Sequence, residues 1–490
     1  MEQNTSAAPI PDWQQFHRYK AQWNKLALIF SDCLAMGIAA ILIYSIGGLR
    51  GTNVFPLSGG YGSTEGIVRI FFLLGLGGCG ILWFWGKLRH YTYRKPFWSE
   101  LREILQTLSV LALLDIASLA FAKQNFSRLE WLVLWILIFL FIPLFRALTK
   151  VFLIRAGCWQ IPCVIIGTGE NACEAYRAIA SEKLMGMSIQ AFVAPDDLGL
   201  HSPVNSIPLI RAHDYWLHCV GKAKVYIALE VGQRELRDNW IRRLSIRGIG
   251  NISVIPSLRG IPLYGTDMSH FFSHEVMILR IQNNLARWSS RVIKRTFDLL
   301  IASFLLVVLS PLFIFLSLKV RRDGGPATYG HERVGYLGKP FKCLKFRSMV
   351  TNSKEILEDL LANNPKVKAE WQKDFKLKND PRITPIGHFI RKTSLDELPQ
   401  LLNVIKGEMS LVGPRPIVTE ELKRYHEDVG YYLTVKPGIT GLWQVSGRSN
   451  IDYASRVYFD SWYVKNWSLW YDIAILFKTA RVVIARDGAY

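Results

Sequence analysis

Apolar residues are distributed unevenly along this chain of 490 residues. Four long runs gather near the N-terminus, roughly Leu26–Gly48, Ile67–Gly86, Ile104–Ala122 and Leu129–Leu148. A helix that crosses a bilayer needs about 20 mainly apolar residues, so each run predicts one span. Basic residues collect at alternate ends of the runs. Arg18, Lys20 and Lys25 precede the first, and Lys87, Arg89, Arg94, Lys95 and Arg102 lie between the second and third. Arg146, Lys150 and Arg155 follow the fourth, whereas the other two loops hold only Arg50, Arg69, Lys123 and Arg128. The inside bias of positive charge places the N-terminus and residue 150 on the cytoplasmic side. Asp115 lies within the third run, where a carboxylate is either functional or a helix-packing contact.

Beyond residue 155 the pattern shortens. "IPCVIIGTGENACEAYRAIASE", Ile161–Glu182, reads as a buried strand, a Gly167-Thr168-Gly169 turn with Ala172, and a helix. "IQAFVAPDD", "KVYIALE" and "ISVIPS" read as further strands with helices between, so a Rossmann-like parallel sheet is expected. The G-x-G-x-x-A turn is a short match to a dinucleotide-binding fingerprint, and a plain strand-to-helix turn is the favoured reading.

A fifth apolar run, Phe297–Val320, is long enough to cross, but Ser310-Pro311 interrupts it. Proline removes a helical hydrogen bond and clashes with the preceding turn, so a break is expected there. Lys294 and Arg295 precede the run, and Lys319, Arg321 and Arg322 end it. Basic flanks at both ends favour a re-entrant hairpin over a full span. The remainder is rich in Trp and Tyr. "WYVKNWSLWYDIAILFKTARVVI", Trp462–Ile484, reads as an amphipathic helix lying at the membrane surface rather than in a core.

The expected fold is therefore a multidomain membrane protein: a four-helix transmembrane bundle (residues 1–155), a Rossmann-like α/β middle domain (156–285), and an α/β catalytic domain with a re-entrant membrane helix (286–490). The formal charge of +20, from 59 Lys and Arg against 39 Asp and Glu, favours an anionic partner. With this hydropathy, acidic lipid or a phosphorylated substrate is expected, not nucleic acid. Seven scattered Cys with no C-x-x-C exclude a disulfide framework and a zinc site. No cleavable leader is apparent at the N-terminus.

The candidate chemistry centres on "KTSLDELPQ". Ser394 and Glu397 fit the S-x-x-E capping box, although Pro399 makes the first turn irregular or the helix start later. A cap leaves Asp396 unexplained. A carboxylate at a helix start can instead attack phosphorus, with a neighbouring carboxylate holding Mg²⁺. Arg391 can clamp a phosphoryl oxygen. Lys345 and Arg347, two apart, share one face if they lie on a strand. Arg415 stands rigidly between two prolines, and "KPGITGLWQVSGR" offers Trp443, Gln444 and Arg448 for a base and phosphates.

"KFRSM", "RKTSLDELPQLLNVIKGEMSLVGPRP" and "KPGITGLWQVSGR" together resemble the bacterial sugar transferase family, monotopic polyprenyl-phosphate sugar-1-phosphate transferases. The resemblance extends over the N-terminal spans and middle domain to the large members that start O-antigen, capsule or exopolysaccharide assembly. It implies a UDP-sugar donor, an undecaprenyl phosphate acceptor, Mg²⁺, and a phosphosugar intermediate on Asp396 with release of UMP. It further implies a metal role for Glu397, a phosphate contact for Arg391, and substrate contacts for Lys345, Arg347, Arg415, Gln444 and Arg448. Ser310-Pro311 matches the re-entrant break. Galactose is the favoured sugar, a homodimer fits large enzymes of this kind, and the implied location is the bacterial inner membrane with a cytoplasmic catalytic domain. The competing expectations are an NAD(P)-dependent oxidoreductase or epimerase using Gly167 and Gly169, and a non-enzymatic membrane scaffold.

Overall fold

The computed structural model describes residues 18–50, 64–121, 128–195, 204, 206–211, 223–247, 249, 252–257, 267–270, 277–280, 284–363, 377, 380–447 and 452–485. The chain forms two compact units, Met1–Leu258 and Arg259–Tyr490.

The first unit opens with four apolar helices: α1 (Arg18–Arg50), α2 (Thr64–Gly86), α3 (Phe97–Phe121) and α4 (Arg128–Arg155). Each is long and apolar enough to cross a membrane. They share a core that includes Ala35, Leu108, Trp135 and Ile142. Charges inside this apolar setting are paired, as their desolvation requires. Asp115 accepts both Arg69 Nη1 and Nη2, at 2.6 and 2.9 Å, and the indole N–H groups of Trp131 and Trp135, each at 3.0 Å. Its role is therefore helix packing. Arg146 Nε and Nη2 donate to Asp32 at 2.7 and 2.6 Å, and Lys150 pairs with Glu100. Arg146 and Lys150 were expected to mark a cytoplasmic end and Arg69 to lie in a loop, yet all three are buried ties between helices.

A parallel sheet follows, formed by β1 (Ile161–Ile166), α5 (Glu170–Ser181), β2 (Met187–Ala194), β3 (Leu209–Arg211), β4 (Lys224–Ile227), α6 (Arg234–Ile246) and β5 (Ile252–Val254). The strand order is β3-β2-β1-β4-β5, all neighbours parallel. β1 is almost wholly buried, which explains its unbroken apolar run. The order reverses on either side of β1, as in the Rossmann-like arrangement.

The second unit begins with an antiparallel pair, β6 (Asp267–His270) and β7 (Met277–Arg280). Then comes α7 (Trp288–Val320), a 33-residue helix. The expected break at Ser310-Pro311 does not end it: the helix continues through both residues, and Ser310 Oγ donates to the Val307 carbonyl at 2.8 Å. Much of α7 exposes apolar side chains, among them Leu300, Phe304, Val307, Ile314 and Leu318. Both ends are fixed to the same globular unit. Near the start, Lys294 pairs with Asp472 at 2.8 Å, and Asp298 accepts Ser410 Oγ at 2.8 Å and the Leu411 N–H at 3.2 Å. At the other end, the Val320 carbonyl accepts Arg347 Nη2 at 3.0 Å.

The rest of this unit is β8 (Thr328–Val334), β9 (Pro340–Phe346), α8 (Ser353–Asn363), α9 (Pro385–Lys392), α10 (Gln400–Lys406), β10 (Ser410–Val412), α11 (Val429–Leu433), β11 (Gly438–Thr440), α12 (Leu442–Ser446), α13 (Tyr453–Lys465) and α14 (Leu469–Ala485). β8 and β9 form an antiparallel hairpin, and β10 pairs parallel with β11. The Trp462–Ile484 stretch expected at a membrane surface is in part core. Tyr463, Trp467 and Ile475 are buried, because Asp472 accepts the Tyr463 hydroxyl at 2.7 Å and the Trp467 indole at 3.0 Å; Phe477 stays exposed.

Asp115→Ala leaves the Arg69 guanidinium buried without its carboxylate and should cost about 3–5 kcal/mol. Thermal unfolding of the purified chain in detergent checks this. Replacing both partners by apolar residues should recover much of the loss.

Candidate active site

The carboxylate pair lies on a turn, not on a capped helix. Ser394 adopts the left-handed conformation at φ 57°, and its side chain caps nothing. The capping-box expectation is thus incorrect. A residue in that conformation cannot present its oxygen to the following N–H groups as an extended N-cap does. Leu395–Glu397 form a single 3₁₀ turn, Pro399 follows, and α10 starts only at Gln400. This late start is the one that Pro399 predicts. The turn points Asp396 and Glu397 at β9, where Lys345 Nζ lies 2.7 Å from Glu397 Oε1 and 3.5 Å from Asp396 Oδ2.

β9 is held in place by Asn403 of α10, which is fully buried. Its amide accepts the Leu344 N–H at 3.0 Å and donates to the Lys342 carbonyl at 2.9 Å. The helix that follows the carboxylates therefore also fixes the strand carrying Lys345. Burial opposes the Lys345 charge, but Glu397 and then Asp396 hold its pKa above the ordinary value. Burial pushes the Asp396 carboxyl up, Lys345 pulls it back, and Glu397 pushes it further up.

A cavity of about 980 Å³ opens over this pair. Arg391, from the last turn of α9, reaches it and donates Nε to Ser348 Oγ at 2.8 Å. Arg415 and Gln444 line the same space. Arg415 lies over the Trp443 ring, 5.5 Å from its centroid. Burial lowers the Arg415 pKa, with neighbouring Arg456 adding to the effect. Part of the lining is apolar: Leu305 and Leu309 come from α7, and Leu476, Ala480 and Val482 from α14. One cavity thus joins a cationic floor to a wall built partly from an exposed apolar helix.

Lys345, Arg391, Asp396, Glu397, Arg415 and Gln444 are brought together as the sequence predicts. Arg347 is not among the residues lining this cavity. β9 ends at Phe346, so strand alternation does not carry Arg347 onto the face of Lys345. Instead it is buried and donates to the carbonyls of Pro326 and Val320, at 2.9 and 3.0 Å. Arg448 lies outside the described residues. The sequence reading passed over Tyr329, His331 and Arg333, which also face the cavity. Their period of two along β8 was the available signal.

Glu397 and Asp396 are adjacent oxygen donors, and the nearby Lys345 shows that positive charge is accommodated beside them. Among the described residues no cluster of three or more His, Cys, Asp and Glu is poised for a metal. Mg²⁺ commonly binds through one or two carboxylates and substrate phosphates, so this pair fits it. The turn after β1 is filled by contacts of the chain itself. The carboxylate of Glu230 accepts the Asn171 N–H at 2.8 Å, at the start of α5. A Cβ on Gly169 would lie 2.4 Å from that carboxylate, and one on Gly167, at φ +138°, would lie 2.3 Å from the Ala228 carbonyl. Both glycines serve contacts within the chain.

The family model described as bacterial sugar transferase matches residues 289–486, which hold every element of this site. The undecaprenyl-phosphate galactose phosphotransferase of Salmonella typhimurium is 58% identical over 410 residues, covering 83% of this chain and 86% of that protein. The UDP-galactose-lipid carrier transferase of Erwinia amylovora is 50% identical over 474 residues, covering 96% and 98%. The exopolysaccharide production protein ExoY of Rhizobium meliloti is 52% identical over 198 residues, 40% of this chain but 88% of its own length. A carboxylate pair with its cations, on a fold shared over nearly the full length of such relatives, leaves one assignment: the chain belongs to the bacterial sugar transferase family.

Proposed function

We propose that this membrane enzyme transfers a sugar 1-phosphate, galactose 1-phosphate first among the candidates, from a UDP-sugar to undecaprenyl phosphate. UMP is released, and the product starts an O-antigen, capsule or exopolysaccharide chain. The observation that carries this reading is one cavity lined by Asp396, Glu397 and four cations, Arg333, Lys345, Arg391 and Arg415, together with apolar side chains of α7 and α14. Such a space suits two phosphorylated substrates, one of them a lipid. Its volume is in the range of small-molecule sites, roughly 300–1,000 Å³.

In the first step an Asp396 oxygen attacks the β-phosphorus of the donor. The bond from that phosphorus to the UMP oxygen breaks, leaving the sugar phosphate on Asp396. In the second step a phosphate oxygen of undecaprenyl phosphate attacks the same phosphorus, and the Asp396 carboxylate leaves. Arg391 and Arg415 bind the phosphoryl oxygens, Lys345 keeps the carboxylate pair oriented, and Gln444 and Arg448 contact the donor. Glu397, with the donor phosphates, would hold Mg²⁺, which when bound offsets the charge on the diphosphate. The galactose assignment follows the Salmonella and Erwinia relatives.

We further infer that α7 enters and leaves one leaflet, with the catalytic unit on the cytoplasmic face of the bacterial inner membrane. Lys294 and Asp298 near one end, and Val320 at the other, are bound to one globular unit. A crossing helix would carry one of these anchors to the far side. A straight 33-residue helix would measure about 50 Å, more than the roughly 30 Å hydrocarbon core requires. Pro311 lies inside α7 and weakens the helix there, which permits a bend.

Asp396→Asn keeps the size of the side chain but removes the nucleophile. UMP release from UDP-galactose should fall more than about 1,000-fold, and turnover at the normal rate would overturn the mechanism. Glu397→Gln should raise the Mg²⁺ concentration needed for half-maximal release. A panel of UDP-sugars with undecaprenyl phosphate should show the highest rate with UDP-galactose. A reporter joined after Tyr490 should signal from the cytoplasm, and a periplasmic signal would sink the one-leaflet placement of α7.

A further inference from the structure

Arg415 lies on a segment with no regular secondary structure, after β10, between Pro414 and Pro416. The prolines limit the backbone angles of the segment but supply no N–H by which it could be tied down. A charged side chain acts accurately only if its own backbone is held, since an error of about 1 Å in position can cost about 100-fold in rate.

The Gly438 N–H donates to the Pro414 carbonyl at 2.8 Å, and Asp460 accepts a backbone hydrogen bond from Arg415; a further holding group is Tyr432 of α11. Its ring is buried and packs against Tyr425, with centroids 5.1 Å apart. Its hydroxyl stands among three backbone groups. It lies 3.2 Å from the Arg415 carbonyl and 3.1 Å from the Val334 carbonyl, to either of which it can donate. It accepts the Ile417 N–H at 3.3 Å. Val334 ends β8, and its N–H donates to the Ile417 carbonyl at 2.9 Å. One hydroxyl therefore ties both sides of Pro416 to the end of β8, the strand whose Tyr329, His331 and Arg333 face the cavity. Burial raises the Tyr432 pKa, so the hydroxyl keeps its proton and remains a donor at neutral pH. The far end of Arg415 rests over Trp443, the face of which also carries Arg456 at 5.2 Å. Arg456 pairs with Glu421 at 3.6 Å.

We propose that Tyr432 is a positioning residue for the transfer reaction: its hydroxyl fixes the peptide groups around residue 415 and thereby aims the Arg415 guanidinium at the donor's phosphates. This rests on the proposed function for the identity of the donor, but the backbone tie stands on geometry alone.

Tyr432→Phe removes only the hydroxyl and keeps the packed ring. On the full chain in detergent, kcat/KM for UMP release from UDP-galactose should fall about 10- to 100-fold. In an Arg415→Ala background the same change should cost almost nothing further, because there is no guanidinium left to aim. In an Arg391→Ala background it should cost its full factor. An equal loss in both backgrounds, or no loss in the wild-type background, overturns the proposal. Hydrogen exchange of the peptide spanning residues 413–418 gives an arm independent of activity. It should speed up in Tyr432→Phe while β9 and α10 stay as protected as in wild type. If wild type releases no UMP from UDP-galactose, the functional reading fails while the exchange result still decides the tie; unchanged exchange at 413–418 removes it.

Discussion

An apolar helix must be joined to a water-soluble fold, and in the second unit this is done by charge. Lys294 Nζ reaches Asp472 at 2.8 Å and the Val412 carbonyl at 3.1 Å, with the Tyr463 hydroxyl 3.3 Å away. Four residues on, one helical turn, Asp298 takes the Ser410 hydroxyl and the Leu411 N–H. The two contacts grip β10 from both ends. Since β10 leads straight into Gly413, Pro414 and Arg415, the docking of α7 and the position of an active-site cation are one problem with one solution. Asp472, buried among Tyr463 and Trp467, is equally the pivot on which α13 and α14 pack. Truncating one partner of such a buried pair strands the other, so the tie is far costlier to break than to keep.

The site itself is built by opposed demands. Two neighbouring carboxylates repel, and burial sharpens that repulsion. Lys345 relieves it, and Lys345 is held there by the pairing of β9 with β8 and by Asn403, which fastens β9 to α10. The 3₁₀ turn at Leu395–Glu397 and the left-handed Ser394 set the direction of both carboxylates before the regular helix begins. Backbone in that conformation is disfavoured for residues with a Cβ, and such strain tends to persist where it serves a site. Asp396 thus sits on an irregular segment braced both by α10, which follows it, and by β9, which carries Lys345.

Much of this was legible in the sequence where the signal is local. Apolar runs gave the membrane-length helices, short β-branched runs with Gly167 and Gly169 gave the parallel sheet, and Pro399 foretold the late start of α10. The gathering of Lys345, Arg391, Asp396, Glu397, Arg415 and Gln444 was legible through motifs rather than through physics, because their partners lie tens of residues apart. What the sequence hid depends on distant partners or on where an element stops. Arg347 left the strand face because β9 ended one residue too soon. Arg146 and Lys150 resemble membrane-end charges until Asp32 and Glu100 are seen beside them. Ser394 looked like a cap because S-x-x-E carries no record of φ.

The turn after β1 has a consequence of its own. A helix start of this kind ordinarily receives an anion from solution, held by free N–H groups and the helix dipole. Here the anion is Glu230, and it is part of the chain. A tethered group competes at an effective concentration on the order of millimolar or more, whatever the surrounding solution contains. The middle domain therefore keeps the strand order of a Rossmann-like sheet while a carboxylate of its own chain meets the start of α5. An anion from solution would have to displace Glu230 before it could reach the Asn171 N–H.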